Sequence, residues 1–289
     1  MSTSETDKET WESKRSRFLA GLPPETQEFK YRSRRSLTTQ IDCLRQELDD
    51  GNTSVQYIIF TQVSYKAYND IIHRIDSVSH CQMFYSGELS IIVLKVCYKN
   101  EPHACDEFDR YLRLPETLMR LILYDTWTCY GHTSMKEAER SWEPYYFPPG
   151  KYSSWPTVIL ETGLSKSYPR LKVEVEWLFE ESRGEVQLVV LMVLDRDKRE
   201  VAMEQWEFKA SAESIIARAP FTDILAVPTL TNRVKMAKQS DDSVVVENGP
   251  MVLPFTSFYL RPPEIPLERD FVFPEDELIN IANEFLRGL

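Results

Sequence analysis

The chain has 289 residues, 42% of them apolar and 27% charged, with 9 Gly and 17 Pro, and this balance excludes a disordered, collagenous or membrane protein. A net charge of −11 repels a polyanion unless a local basic surface offsets it, so a nucleic-acid partner is disfavoured and a protein partner fits as well. No apolar run reaches the roughly 18 residues that span a bilayer, and the first 30 residues hold no apolar leader core, which predicts a cytoplasmic or nuclear protein without membrane contact.

Residues 1–35 are polar, broken by Pro23-Pro24, and carry 8 Lys/Arg against 6 Asp/Glu, which leaves about −13 on the rest. They read as a flexible arm before a single domain over 36–289. Leu37, Ile41, Leu44 and Leu48 recur at helical spacing, with Ser36 as the cap and Asp49-Asp50-Gly51-Asn52 as the stop. A strand follows over 55–64, then a helix over 65–76 with Tyr68, Ile71, Ile72 and Ile75 on one side. Residues 82–98 predict a hairpin turning at Ser86-Gly87. Its second arm is dense in Ile and Val, as a sheet interior requires. Helical material over 104–125 is divided by Pro115, which opens a second helix with Leu118, Leu121 and Ile122 buried.

Four prolines and a glycine make 141–156 a loop that crosses the surface or frames a cleft. TVILE (157–161) predicts a buried strand and 162–170 a turn. Leu171, Val175, Leu178 and Phe179 mark an amphipathic helix ending near Gly184. Two paired strands follow over 185–195 and 200–208, and the order strand, helix, strand makes 157–195 a crossover candidate. Residues 210–250 read as irregular, with a flexible loop at 239–243. MVLPFTSFYL (251–260) reads as a strand. Pro274 opens a last helix that buries Leu278, Ile281, Ala282, Phe285 and Leu286. The fold class is α/β, a central mixed sheet flanked by helices.

Five cysteines stand at 43, 81, 97, 105 and 129 without a CxxC pair, so reduced thiols are expected. His103 between Cys97 and Cys105 suggests a metal cluster, but the spacing is looser than in zinc sites, and buried apolar thiols are the simpler reading.

Several blocks, in order, resemble a fungal group of PD-(D/E)XK, restriction-endonuclease-like proteins. FYSGELSIIVLKV (84–96) and His103 resemble a core strand and the entry to its helix. RSWEPYYFPP (140–149) resembles a Lys-Glu-Pro-Asp loop. WPTVILETGLSKSYPRL (155–171) resembles a Trp-Pro-x-x-x-x-Glu-x-Gly-x-Ser-x-Ser signature. VQLVVLMVLD, VAMEQWEF and LPFTSFYLRPP resemble the strands and tail that follow. The resemblance implies a restriction-endonuclease-like core in which two carboxylates hold Mg²⁺ and a lysine serves the attacking water.

Carried onto this chain, the resemblance makes Glu161 a catalytic metal ligand, with Glu143 as the substitute for the second carboxylate. Lys166 or Lys172 would supply the ammonium, and Lys166 and Arg170 would contact phosphate. The pattern is also degraded. Tyr145 stands at the motif's Asp, Trp142 at its Lys, and Gly163 where the superfamily expects lysine. A phenol keeps its proton to near pH 10 and is a poor Mg²⁺ ligand. The first expectation is therefore a non-catalytic, nuclease-like binding module. The alternative is an active metal-dependent nuclease with a rearranged site. A third reading is an acidic interaction protein with no nuclease core.

Overall fold

The computed structural model describes residues 10–74, 81–113, 120–150, 153–210 and 226–289. The expected mixed sheet flanked by helices is present, and it is accompanied by a second. The seven-stranded sheet runs, edge to edge, Val244–Glu247, Ala226–Lys238, Glu200–Ala210, Leu188–Asp195, Val158–Leu164, Arg140–Pro144, Leu121–Tyr124, and the six-stranded sheet Gln27–Lys30, Tyr57–Thr61, Ile91–Val96, Cys81–Ser86, Ser134–Ala138, Trp127–Tyr130.

In chain order the six-stranded sheet takes β1 (Gln27–Lys30), β2 (Tyr57–Thr61), β3 (Cys81–Ser86), β4 (Ile91–Val96), β6 (Trp127–Tyr130) and β7 (Ser134–Ala138). The other takes β5 (Leu121–Tyr124), β8 (Arg140–Pro144), β9 (Val158–Leu164), β10 (Leu188–Asp195), β11 (Glu200–Ala210), β12 (Ala226–Lys238) and β13 (Val244–Glu247). Strands β9 and β10 are parallel neighbours joined by helix α5 (Tyr168–Ser182), the crossover the pattern predicts. Helices α1 (Trp11–Phe18), α2 (Arg34–Asp49), α3 (Tyr65–Arg74), α4 (Glu101–Leu112), α6 (Phe255–Tyr259) and α7 (Glu275–Phe285) complete the described helices, and β14 (Met251–Leu253) pairs with β15 (Phe271–Phe273).

Helix α2 buries Leu37, Ile41 and Leu48, but its cap is Ser33, whose hydroxyl accepts from the Ser36 amide at 3.2 Å. The segment read as an arm holds α1 and β1, and β1 pairs parallel to β2. Leu121 and Ile122 lie in β5, not a helix; Pro115 and Leu118 fall outside the described residues, as does Ile75. The predicted loop at 141–156 begins as β8, which pairs with both β5 and β9. The predicted turn at 162–170 is the end of β9, a 3₁₀ turn at Ser165–Ser167 and the start of α5.

Residues 226–247 form a hairpin rather than irregular chain, with 239–243 as its turn. MVLPFTSFYL is also divided. Pro254 ends β14, and Phe255, Phe258 and Tyr259 then bury one face of α6, with the Phe255 amide donating to Asp270 Oδ1 at 2.8 Å. Among the described residues no helix is long and apolar enough to cross a membrane.

Three apolar clusters result. The largest lies between the sheets and α2, α4 and α7. A second joins α5 to β9 and β10 through Leu171, Val175, Leu178 and Ile159. The third covers the other face of the six-stranded sheet through Tyr57, Ile59, Phe84 and Val93. Charged side chains accumulate where α5 meets that third face.

Candidate metal centre

Strand alternation sets the directions. In β9, Val158, Leu160 and Leu164 enter the largest cluster, while Ile159 faces α5 and Glu161 shares its side. In β4, Ile91 and Val93 share a face, so Lys95 continues that row inward. In β7, Lys136 lies opposite Phe84 and points the same way. The result is a buried network of ions beneath apolar strands.

Lys136 Nζ lies 2.6 Å from Glu161 Oε1 and 3.3 Å from Glu174 Oε2, and Arg170 Nε donates to Glu174 Oε1 at 2.9 Å. Lys95 Nζ lies 3.0 Å from Glu139 Oε2 and 3.8 Å from Glu101 Oε2, and donates to the Thr162 carbonyl at 2.6 Å. Glu139 also accepts from the Thr162 amide at 3.0 Å. Gln56 locks the two halves together. Its amide nitrogen donates to Glu101 Oε1 at 2.7 Å, and its oxygen accepts from the Leu164 amide at 2.6 Å and the Ser167 hydroxyl at 3.0 Å.

Four carboxyls, Glu101, Glu139, Glu161 and Glu174, thus face three cations, Lys95, Lys136 and Arg170. One negative charge is in surplus, and burying it unpaired is costly, so a proton or a further cation must balance it. Burial pushes Glu101 and Glu161 up to about 7 against the pull of Lys95 and Lys136 respectively. Burial acts on Glu139 and Glu174 too, but Lys95 in one case and Lys136 with Arg170 in the other hold them below the usual range.

Cys97 Sγ and carboxylate oxygens of Glu101 and Glu139 all lie within 4.8 Å of one another. All three residues are buried, and Glu101 Oε2 has no hydrogen-bond partner among the described residues. Burial, with the nearby Glu139 carboxylate, pushes the Cys97 thiol far up, so it becomes a thiolate ligand only if a metal displaces its proton. One sulfur and two carboxylates suit a zinc-type or other transition dication. They do not suit Mg²⁺, which requires an octahedron of oxygens.

The residues singled out in the sequence are dispersed. Glu161 is fully buried within the network. Glu143 is not beside it. The β8–β9 register sets residue 140 opposite 160, so Glu139 is the residue across from Glu161, and Glu143 lies four positions along, roughly 13 Å of strand. Glu143 is half-buried and accepts from the Tyr124 hydroxyl at 2.7 Å. Tyr145 is exposed, edge-on to Tyr146. Trp142 is a core residue whose indole donates to Asp109 at 3.1 Å.

Gly163 has a steric reason. A Cβ there would meet Leu171 Cδ1 at 3.0 Å and Gln56 Oε1 at 3.2 Å, so any side chain would crowd both neighbours. Ammonium groups arrive instead from β4 and β7. Lys166 is exposed, and Lys172 lies over the Tyr168 ring, so neither reaches the network. Arg170, expected at phosphate, is fully buried on Glu174. His103 is exposed on α4. Sequence reasoning missed Gln56, Lys95, Glu101, Lys136, Glu139 and Glu174. One signal was available for Lys95, a charge inside the run IIVLKV.

The chain matches no family model and no curated protein sequence.

One neighbour of the network gives a clean pH test. Glu137 is buried on β7, and its carboxylate accepts from the Met83 amide at 3.0 Å. Burial pushes it from 4.5 up to about 7, partly offset by the Met83 amide and Lys136. An acid raised in the folded state contributes stability that is fully present below its unfolded pKa and lost as the pH rises through about 7. Glu137→Gln keeps the accepting oxygen and removes the charge. The variant is expected to exceed the parent by roughly 2–4 kcal/mol at pH 8 and to match it near pH 4, read from urea midpoints. An equal gain at both pH values would contradict the burial argument.

Proposed function

We propose that the chain is a metal-dependent hydrolase of nucleic-acid phosphodiesters, related to the restriction-endonuclease-like group, with a rearranged site. The observation that carries this reading is the convergence of Cys97, Glu101 and Glu139 around a Glu101 oxygen that lacks a hydrogen-bond partner among the described residues, in a network one positive charge short. The motif blocks around Glu161 support this reading, and the strand-helix-strand order of β9, α5 and β10 is compatible with it.

Cys97, Glu101 and Glu139 would hold the ion. The chemistry a transition dication supplies when bound is polarisation of a phosphoryl oxygen and acidification of water. The remaining roles belong to the protein. Glu161, pushed up to about 7, is poised to exchange a proton near neutral pH. Lys136 fixes its orientation at 2.6 Å. Lys95 keeps a positive charge beside Glu139 and Glu101 in a site where water is excluded.

A second reading is the non-catalytic binding module. The lysines already set among the carboxylates favour it, while the roughly 13 Å of strand between Glu143 and the position facing Glu161 favours the acidic interaction protein with no nuclease core. Cleavage of plasmid and single-stranded DNA with Zn²⁺, Mn²⁺ or Mg²⁺ separates the two. Wild type is expected to cut with Mn²⁺ or Zn²⁺, and Glu101→Gln and Glu161→Gln to fall about 10²–10⁴-fold while remaining folded. No cleavage by wild type, or equal cleavage by all three proteins, would discard the hydrolase.

A further inference from the structure

We infer that residues 11–22 form an autoinhibitory strap that closes the route from solvent to the buried ion network; what the strap guards rests on the hydrolase reading above, but its closure does not. The strap is a helix with no buried residue, α1, followed by a turn over 19–21. Such a helix does not hold itself in place by burial.

Three sets of contacts fasten it, all to the elements that enclose the network. Phe18, Leu19 and Leu22 pack on the sheet face formed by Tyr57, Ile59, Phe84 and Val93. Tyr57, Phe84 and Val93 also line the small internal cavity that Lys95, Lys136 and Glu174 share. Removing the strap therefore uncovers the outer wall of that cavity. Arg170, the last cation of the network, donates through Nη1 to the Phe18 carbonyl at 2.6 Å and the Ala20 carbonyl at 3.1 Å. Its guanidinium also lies 5.0 Å from the Phe84 ring centre and 5.9 Å from that of Phe18. One side chain thus joins the strap to Glu174 and, through it, to Lys136.

Charge supplies the third fastening. The cleft beside α1, ≈390 Å³, is lined by Glu88, Glu176, Glu180 and Glu181 on the body and by Lys14 and Arg17 on the strap. Lys14 forms an ion pair with Glu88, and Arg15 pairs with Glu28 on β1 at 2.5 Å. A basic helix thus occupies an acidic cleft on a protein of net charge −11. These pairs are partly exposed and individually weak, so they suit a reversible fastening.

Gly21 is where the strap docks most closely. Its φ is +74°, and a Cβ there would lie 2.6 Å from the Pro169 carbonyl oxygen and 2.8 Å from the Arg170 amide nitrogen. Both are backbone atoms at the start of α5, which cannot move aside as a side chain can. Gly21→Ala is expected to lift the strap from α5. Beyond Gly21 the chain is retained by β1, paired to β2, so the strap can open without releasing the sheet.

The test is hydrogen exchange by mass spectrometry on the full chain, wild type against Gly21→Ala, Lys14→Glu and the charge swap Lys14→Glu/Glu88→Lys. Strap opening is a local event, so exchange should rise only where the strap lies. Peptides covering 57–61 and 167–173 are expected to exchange about tenfold faster in Gly21→Ala and about threefold faster in Lys14→Glu, with α7 unchanged and the swap restored to wild type. The Gly21→Ala protein should also take up Mn²⁺ or Zn²⁺ faster than wild type. Faster exchange without metal uptake by any variant would retain the strap and remove the metal reading. Equal exchange at 57–61 and 167–173 in Gly21→Ala, Lys14→Glu and wild type would overturn the strap. Accelerated exchange throughout the chain, α7 included, would overturn it too, because the segment would then be an integral part of the fold.

Discussion

Lys136→Ala is expected to lower the unfolding free energy by about 3–5 kcal/mol, a large part of the roughly 5–15 kcal/mol that holds a typical domain. The ammonium is 2% exposed, and it bridges Glu161 at 2.6 Å and Glu174 at 3.3 Å while donating to the Glu137 carbonyl at 3.0 Å. Removing it leaves Glu161 with an acid already pushed up to about 7 and an Oε2 that has no hydrogen-bond partner. The cost is the loss of the ammonium's three contacts together with the protonation of Glu161, which stays buried without its partner. A double variant, Lys136→Met/Glu161→Leu, removes both charges at similar volume and should recover more than half of the loss. Urea midpoints on the single and double variants measure both effects. A loss below about 1 kcal/mol in Lys136→Ala would mean that water reaches Glu161 and that the network is not sealed.

Glu139→Ala is expected to cost about as much, 3–5 kcal/mol, through the other half of the network. Glu139 Oε2 accepts from the Thr162 amide at 3.0 Å, the Thr162 hydroxyl at 2.5 Å and Lys95 at 3.0 Å. Removing the carboxylate strips a buried amide on β9 of its partner and leaves Lys95 with only the more distant Glu101 as a counter-ion, at 3.8 Å. The pH dependence runs opposite to that of Glu137. Burial raises Glu139, but Lys95 and Thr162 outweigh it, so the folded pKa lies below the unfolded value. Its contribution is present above the unfolded pKa and is lost as the pH falls through the folded one. The gap between Glu139→Ala and wild type should therefore be full at pH 7 and narrow in acid. A gap that widens in acid would contradict the ion-pair account.

Much of the architecture is legible because apolar spacing survives in single elements. Leu37, Ile41 and Leu48 define α2; Leu171, Val175 and Leu178 define α5; Leu278, Ile281 and Phe285 define α7. The crossover through α5 follows from two near-continuous apolar strands on either side of it. Strands β5 to β8 are hidden for the opposite reason. SMKEA in β7 buries Lys136 and Glu137 on a strand whose residues look solvated, and polarity alone reads as loop. MVLPFTSFYL misleads because a continuous apolar run does not separate a strand from a short buried helix.

Of the network and the candidate centre, the sequence singled out Glu161, Arg170 and Cys97, the last only through a loose Cys-His spacing. The register across β8 and β9 selects Glu139 over Glu143, and register is a property of the folded sheet, not of motif order. Lys95 and Glu101 lie six positions apart at the end of a strand and the start of a helix, so only the turn between them brings both to Glu139. Residues 10–22 look like a polar arm because the apolar positions that dock, Phe18, Leu19 and Leu22, are clustered at one end without sustained periodicity, and the rest of the docking is by backbone contacts, as at Gly21 and Arg170.

The most direct measurement is the absorption spectrum of the protein titrated with Co²⁺, a spectroscopic stand-in for zinc, on wild type, Cys97→Ser and Glu101→Gln. A sulfur-to-cobalt charge-transfer band in the near ultraviolet should grow in wild type and saturate at one equivalent per chain. That band should be lost in Cys97→Ser and should require far more metal in Glu101→Gln. The same band in Cys97→Ser, or no band in either wild type or Gly21→Ala, would contradict a metal centre at Cys97, Glu101 and Glu139.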